Sequence, residues 1–296
     1  MALVRAPGIG TTVVGDDRMD LWTAFSGHAI ERRGTHGRWD GIVELLDKTQ
    51  AMLARVEALT GQPVEIVRDA ELPYLARITR ARAGTPAHIL RVNPTMGTPD
   101  YLIIYECAFI IRLYETPPDK RREFSGAAAG RDEVQRLVKR SGQTARLPDA
   151  ALAQLIDQLY DGILIQLRSY PIGMRIDAWI HEAYPAFDAL QREAIAKQQQ
   201  DNLSVLRPEM KAFAPKPLYD ANAAMNAAYA IFCDRLFGKA GYAIPYRSAG
   251  QEKRGRRLLT ILETIPADAA SDQVLVDAWA DELGLTGWYR WIPMRA

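Results

Sequence analysis

The stretch LIIYECAFIIRLYE, residues 102–115, constrains the fold more than any other part of the chain. Apolar residues occupy every side of a helix built on this stretch, and a helix that is apolar all round has to be buried. Thr98 and Pro99 favour a helix start just before it, and Pro117-Pro118 stops the helix. The sequence therefore predicts a helix that ends near residue 115 and is packed within the rest of the chain.

One acidic residue, Glu106, lies near the middle of this predicted helix, on the same side as Tyr105 and Phe109. An ionised carboxylate in such surroundings costs several kcal/mol unless it is paired or reached by water. Two interpretations follow from the residues alone. Glu106 is a structural acid held by an arginine, with Arg77 and Arg175 as candidates, or it is an acid/base or metal-linked carboxylate in a cleft.

The segments before this helix predict one more helix and three short strands. Asp40 can cap a helix that runs to about Leu59, and Gly61 can supply its left-handed exit. The strand candidates are short, partly alternating and bounded by Gly or Pro. They are PVEIVRD (63–69), YLARITRAR (74–82) and AHILRVNP (87–94).

After residue 118 the composition changes twice. Residues 119–147 carry eight basic and four acidic residues, which predicts a solvated basic connector with one short helix near residues 132–139. No interleaved aromatic residues in this segment support base stacking, so a nucleic-acid patch is the weaker interpretation. From Pro148 onward apolar periodicity predicts helices with prolines between them. They cover residues 149–169, 174–184, 186–206, 217–237, 256–264 and 271–283.

The predicted fold class is therefore α+β. An α+β domain covers residues 1–118, with a helix, a three-stranded sheet and the buried helix. The basic connector covers residues 119–147, and a helical domain covers residues 148–296.

This order of elements, with an xExxx helix after a strand that ends in NP, resembles the zincin metallopeptidases, particularly small bacterial cytoplasmic ones of the ImmA/IrrE type. In that family the buried helix carries HExxH, whose histidines bind zinc while the glutamate activates the zinc-bound water. The motif falls on residues 105–109, YECAF. The resemblance implies a zincin-like N-terminal fold, with Glu106 at the general-base position and Tyr105 and Phe109 at the two ligand positions.

The run QLRSYPIGMRIDAWIHEAYP, residues 166–185, is similar to the downstream helix that brings an acidic third zinc ligand in such peptidases. Asp177 matches that position, where a longer Glu is usual. Because Phe109 has no lone pair and Tyr105 would have to ionise, the resemblance implies a fold without its usual reaction. We therefore expect a catalytically degenerate protein that binds a protein or peptide partner and needs no cofactor.

An active enzyme is the alternative. Asp177 and His181 are four residues apart with Glu182 adjacent, so one helix face could present a carboxylate and an imidazole. Together with Glu106 these residues would make a mixed ligand set for a metal-dependent hydrolase, with zinc as its metal. The other interpretation of His181 and Glu182 is that they face solvent near a helix end.

Two segments of the C-terminal part allow more than one interpretation. Asn222 and Asn226 lie one turn apart on an Ala-rich helix and can hydrogen-bond within its packing. The aromatic residues Trp288, Tyr289 and Trp291 of the tail either pack back on the helices or anchor a partner protein. The stretch EKRGRR, residues 252–257, is expected to be a charged loop.

Composition gives no sign of a membrane or nucleic-acid protein. The 37 basic and 36 acidic residues nearly balance, so the chain as a whole has no charge that would attract nucleic acid or lipid. The two cysteines, Cys107 and Cys233, lie far apart in apolar segments and form neither a metal pair nor a disulfide framework. No signal peptide is visible at the N-terminus. We expect a cytoplasmic protein.

Overall fold

The computed structural model describes residues 37–38, 45–72, 75–82, 84–94, 99–142, 148–238 and 240–294. The described residues form a mixed α+β fold, 69% of them helical, in which a helix and a small sheet precede a helical region. The predicted fold class is confirmed.

The helices are α1 (Asp47–Thr60), α2 (Asp100–Glu115), α3 (Ala128–Arg140), α4 (Asp149–Ala183), α5 (Asp188–Asn202), α6 (Pro208–Phe213), α7 (Lys216–Leu236), α8 (Ile244–Ser248), α9 (Glu252–Thr264) and α10 (Asp272–Leu283). The strands are β1 (Gly37–Arg38), β2 (Val64–Arg68), β3 (Ala76–Thr79), β4 (His88–Val92), β5 (Arg122–Gly126) and β6 (Tyr289–Pro293). Short 3-10 turns lie at Pro118–Lys120, Pro185–Phe187, Leu203–Leu206 and Ala269–Ser271.

The three predicted strands form one sheet in the order β2-β4-β3, with the two-residue strand β1 outside β2. Strands β2 and β4 are parallel, whereas β3 is antiparallel to β4 and forms the edge of the sheet. Leu90 in β4 is aligned with Ile66 in β2 and with Ile78 in β3. Because Leu90 and Val92 are buried, the sheet face that carries them is the one that packs on the helices.

Helix α1 begins at Asp47, so the predicted start at Asp40 is wrong. Asp40 itself lies outside the described residues. Asp100, the first residue of α2, accepts hydrogen bonds from the Leu46 N–H (2.9 Å) and the Thr49 hydroxyl (2.5 Å). The side chain that holds the start of α1 therefore comes from a residue 51 positions beyond Thr49, where a local pattern cannot reveal it.

The predicted ends of these helices are confirmed. Helix α1 ends at Thr60, and Gly61 follows it in the left-handed conformation (φ 72°), which glycine adopts without a steric cost. Helix α2 ends at Glu115, two residues before Pro117. It begins at Asp100, while the proposed cap Thr98 lies outside the described residues.

Helix α2 is buried as predicted, since it packs against α1, β3 and β4 as well as α4 and α5. Most of its side chains are buried. The fully or nearly fully buried ones are Asp100, Tyr101, Leu102, Ile103, Ile104, Cys107, Ala108, Ile110 and Ile111.

The predicted solvated connector is corrected by the structure. Strand β5 within it pairs with β6 at the end of the chain, so that Phe124 is aligned with Trp291. Helix α3 follows, and its residues Val134 and Val138 are buried. The prediction missed β5 because the partner strand lies far away in sequence.

The prediction of a helix break at Pro171 is wrong, because α4 runs without interruption from Asp149 to Ala183. Proline has a helical φ but lacks the N–H that would bond to the Leu167 carbonyl, so one hydrogen bond is lost while the helix continues. Pro171 and Gly173 are both buried within the packed molecule. Tertiary packing outweighs the local break signal here.

Two of the remaining helices follow the predictions closely, whereas the short helices α6 and α8 were not predicted. Helices α7 and α10 match the predicted ranges within one residue at each end. The expected charged loop at residues 252–257 is instead the first half of α9. Glu252, its first residue, accepts a hydrogen bond from the Arg256 guanidinium (2.6 Å), which supports the first turn.

A pair of arginines joins α2 and α4 to the start of α10. Arg112 of α2 donates two hydrogen bonds of 2.7 Å to the carboxylate of Asp272, and Arg175 of α4 donates one of 2.9 Å. Arg175 is therefore bound to Asp272 and is not the partner of Glu106 that the sequence allowed.

Within the described ranges, every helix is too short or too polar to cross a lipid bilayer.

Candidate functional site

Glu106 lies where α2 passes beneath the edge strand β3. Its Oε2 atom accepts a hydrogen bond of 3.0 Å from the backbone N–H of Ile78. Burial raises the pKa of Glu106 to about 7, while the Ile78 hydrogen bond and the charges of Arg168 and Arg77 lower it. The predicted arginine partner Arg77 thus acts through its charge, and Glu106 is a mixture of acid and carboxylate near neutral pH.

The two ligand positions hold an aromatic pair. The rings of Tyr105 and Phe109 pack edge to face with centroids 5.5 Å apart, and the Tyr105 ring also contacts Tyr101 at 5.9 Å. Burial raises the pKa of Tyr105 well above 10, and the charges of Asp177 and Glu106 raise it further. Its hydroxyl group therefore stays protonated at neutral pH and is a poor metal ligand.

Asp177, the third-ligand position, is buried on α4 and is already fully bonded. Its carboxylate accepts hydrogen bonds from the hydroxyl groups of Tyr101 (2.6 Å) and Tyr229 (3.1 Å). Gln191 donates to the Asp177 backbone carbonyl (2.9 Å), which fixes this part of α4 against α5. Burial raises the pKa of Asp177 to about 6, while hydrogen bonds from Tyr101, Gln191 and Tyr229 lower it.

The mixed ligand set of Glu106, Asp177 and His181 is not brought together. His181 lies beside Asp188, with 3.4 Å between its Nδ1 atom and the nearest carboxylate oxygen, and its ring contacts Phe237. Glu182 is exposed. In the part of the chain that the structure describes, no group of three or more His, Cys, Asp and Glu side chains could hold a metal ion. The residues around Glu106 therefore do not fit a zinc ion, and we derive no metal-dependent step.

Strand β3 directs backbone groups outward beside Glu106, and those of Ala76 have no hydrogen-bond partner among the described residues. The N–H of Asn93 donates to the Leu75 carbonyl (2.9 Å). The odd-numbered residues of this region therefore direct their N–H and C=O groups toward β4. The even-numbered residues Ala76 and Ile78 then direct their N–H and C=O groups to the outer edge. Of these, the Ile78 N–H is bonded by Glu106. An extended chain could add to this edge as a further strand.

Four arginines surround this edge. The guanidinium of Arg168, on α4, interacts electrostatically with Arg77, Arg80 and Arg82 and with the carboxylate of Glu106. Arg80 and Arg82 both form ion pairs with Glu123 of β5. No local sequence pattern indicates this cluster, because its residues come from four separate elements: α2, α4, β3 and β5.

Sequence reasoning also missed the polar residues that line α4, α5 and α7. Tyr170 on α4 lies 2.9 Å from Asn226 and 3.1 Å from Asn202, which joins the three helices. Asn226 donates to Asn222 at 2.8 Å, as predicted. Gln166 donates to Asn226 at 2.7 Å. The four-residue spacing of the two asparagines indicates a polar contact within α7, but it does not reveal the partners on α4 and α5.

The tail aromatic residues pack back on the protein. Trp288 is buried, and the Tyr289 hydroxyl and the Trp291 indole N–H both donate to Asp277, at 2.6 and 2.7 Å. Phe124 of β5 stacks on Tyr289 with ring centroids 4.5 Å apart. The polar atoms that would anchor a partner are therefore used within the chain.

The cysteines and the surface clefts add no chemistry. Cys107 and Cys233 are buried, and burial raises the pKa of the Cys107 thiol to about 12. One cleft of about 430 Å³ is lined by residues such as Met52 and Trp179, and another of about 640 Å³ by residues such as Ile244. Neither cleft includes Glu106.

No protein-family model matches this chain, and no curated protein or solved structure matches it significantly. The zincin resemblance thus rests on the residues of the chain itself.

Proposed function

We propose that this protein is a zincin-like pseudoenzyme that binds an extended segment of a protein or peptide along the outer edge of β3. The observation that carries the proposal is the position of Glu106. Its carboxylate lies beneath an antiparallel edge strand and is bonded to an outward N–H of that strand, at Ile78. The neighbouring positions, where a zincin carries its zinc-binding histidines, hold Tyr105 and Phe109. The protein therefore lacks the ligands for zinc catalysis, while its strand edge can still bind a peptide.

The active-hydrolase alternative receives no support from the placement of His181, which lies beside Asp188. We also propose a cytoplasmic location, which suits two buried thiols without a disulfide bond.

The binding proposal is tested with a random decapeptide library displayed on phage and selected on the full-length protein. Ala76→Pro replaces an outward N–H by a ring carbon without removing a bond to β4, so it blocks strand addition at little cost to the sheet. The matched control Ala76→Ser keeps the N–H. We expect peptides selected on the natural protein to lose at least tenfold in affinity for Ala76→Pro and to retain it for Ala76→Ser. Equal binding to all three proteins would refute the proposal.

The zincin-like geometry is tested separately with the double variant Tyr105→His/Phe109→His. If the geometry is that of a zincin, the two imidazoles and Asp177 can bind zinc, and purified protein should contain one zinc per chain. The control is Tyr105→His/Ile110→His, which places the second histidine at a different helix position. Equal zinc contents in the two variants would contradict the resemblance.

A further inference from the structure

We infer that the segment bound along β3 is acidic, with carboxylate side chains that pair with Arg77 and Arg168. This inference rests on the proposed function and names the chemistry of its partner.

The first observation is that both arginines are exposed and that neither forms a close ion pair with a described carboxylate. Arg77 lies on β3 and Arg168 on α4, and both residues are exposed, although the atoms packed around the Arg168 guanidinium and the neighbouring arginines lower its pKa. Among the described residues, no carboxylate lies within ion-pair distance of either one, whereas Arg80 and Arg82 share Glu123. The guanidinium groups of Arg77 and Arg168 are therefore the ones left to bind an external anion.

The second observation is the charge balance around the edge. The Arg168 guanidinium is repelled by the positive charges of three arginines, which are Arg77, Arg80 and Arg82. It is attracted by the carboxylate of Glu106. With Glu123 the region holds four arginines and two acids. An excess of positive charge remains beside β3, although the chain as a whole carries a formal charge of only +1.

The third observation is the backbone. In an added strand, side chains alternate between the two faces of the sheet, so every second residue of the partner lies on the exposed face that carries Arg77 and Thr79. An acidic residue opposite Arg77 forms a cross-strand pair of opposite charge, which stabilises the pairing. The outward N–H and C=O groups at Ala76 and the outward C=O of Ile78 supply the sequence-independent part of the binding.

The backbone groups and carboxylates at the β3 edge favour a polypeptide over a nucleic acid as the partner. The edge offers peptide-spaced donors and acceptors, and the carboxylates of Glu106 and Glu123 lie among the arginines, where they would repel a phosphate backbone.

The test starts from the same decapeptide selection on the full-length protein. We expect the selected peptides to carry net negative charge compared with the starting library. A selected acidic peptide, labelled with fluorescein and followed by fluorescence anisotropy, should bind Arg77→Gln/Arg168→Gln at least tenfold more weakly. The matched control is Arg140→Gln/Arg207→Gln, which removes the same charge from exposed sites elsewhere and should change the affinity less than twofold. Thermal unfolding of both variants checks that each remains folded.

Three other results would overturn the inference. Selected peptides without a charge bias would show that the partner is not acidic, and so would unchanged binding by Arg77→Gln/Arg168→Gln. After either result, the proposed function would still stand if Ala76→Pro abolished peptide binding. A 15-nucleotide single-stranded DNA that displaces the peptide and loses affinity in Arg77→Gln/Arg168→Gln would assign the arginines to nucleic acid. Failure to select any peptide would count against the proposed function itself.

Discussion

The hydroxyl group of Tyr105 lies so close to Gly173 that a Cβ atom added to Gly173 would overlap with it. At this point of the packing between α2 and α4, the absence of a side chain on residue 173 makes room for the Tyr105 hydroxyl.

Gly173→Ala should destabilise the protein, although alanine favours helices. The added methyl group overlaps with the Tyr105 hydroxyl, and overpacking costs about 1 to 3 kcal/mol, more than the helix propensity of about 1 kcal/mol gained. The free energy of unfolding, measured in urea, checks this. Tyr105→Phe removes the overlapping oxygen and should recover part of the loss in the double variant. Equal or greater stability of Gly173→Ala alone would show that the two helices are not in tight contact.

Asp177 should make stability depend on pH. Its folded pKa, about 6, lies above the ordinary value of 3.8, so the folded state holds the proton more tightly. The stability that this group contributes is therefore fully present below about pH 4 and is lost as the pH rises through 6. A difference of about two pKa units corresponds to roughly 3 kcal/mol. The unfolding free energy of the natural protein, relative to Asp177→Asn, should fall between pH 4 and 7. A difference that stays constant over this range would contradict the prediction.

Glu106 should protect the Ile78 amide from hydrogen exchange. Glu106→Ala leaves this N–H without its acceptor, and the loss of a hydrogen bond worth about 1 to 2 kcal/mol predicts roughly tenfold faster exchange. Glu106→Gln keeps an oxygen at the same place and should retain most of the protection. Exchange rates measured by NMR distinguish the two variants, and the Leu90 amide of the neighbouring strand serves as a reference within the same sample.

Asp277 should hold the tail. It accepts hydrogen bonds from both Tyr289 and Trp291, so Asp277→Ala leaves two donors without a partner and should cost about 1 to 3 kcal/mol in unfolding free energy. Asp281→Ala, an exposed change on the same helix, should change the unfolding free energy by less than about 0.5 kcal/mol. A similar effect of both substitutions on thermal unfolding would mean that the tail adds little.

Sequence patterns predicted the elements whose evidence is local. Helix α2 was predictable because its apolar residues are consecutive, and its end because Pro117 follows directly. The three strands were predictable from their short, bounded, partly alternating segments. Asn222 and Asn226 were predicted to bond because they lie one turn apart.

The remaining features depend on residues distant in sequence. Strand β5 is defined by its pairing with β6, and Pro171 is tolerated because α4 is packed on several sides. The Asp177 site could be named from a resemblance, but its hydrogen bonds come from Tyr101 and Tyr229 on other helices. No sequence pattern singles out Arg168, since only the fold brings it near Arg77 and Glu106.

The pairing of β5 with β6 sets a condition on how the chain can fold during synthesis. Residue 126 leaves the ribosome 163 residues before residue 289, the start of its partner strand. At about 5 to 20 residues per second, β5 waits on the order of 8 to 30 s without a partner. During that interval Phe124 and the strand edge are open to other chains, so a newly made molecule depends on the synthesis of residues 289–293, or on a chaperone, to protect this edge.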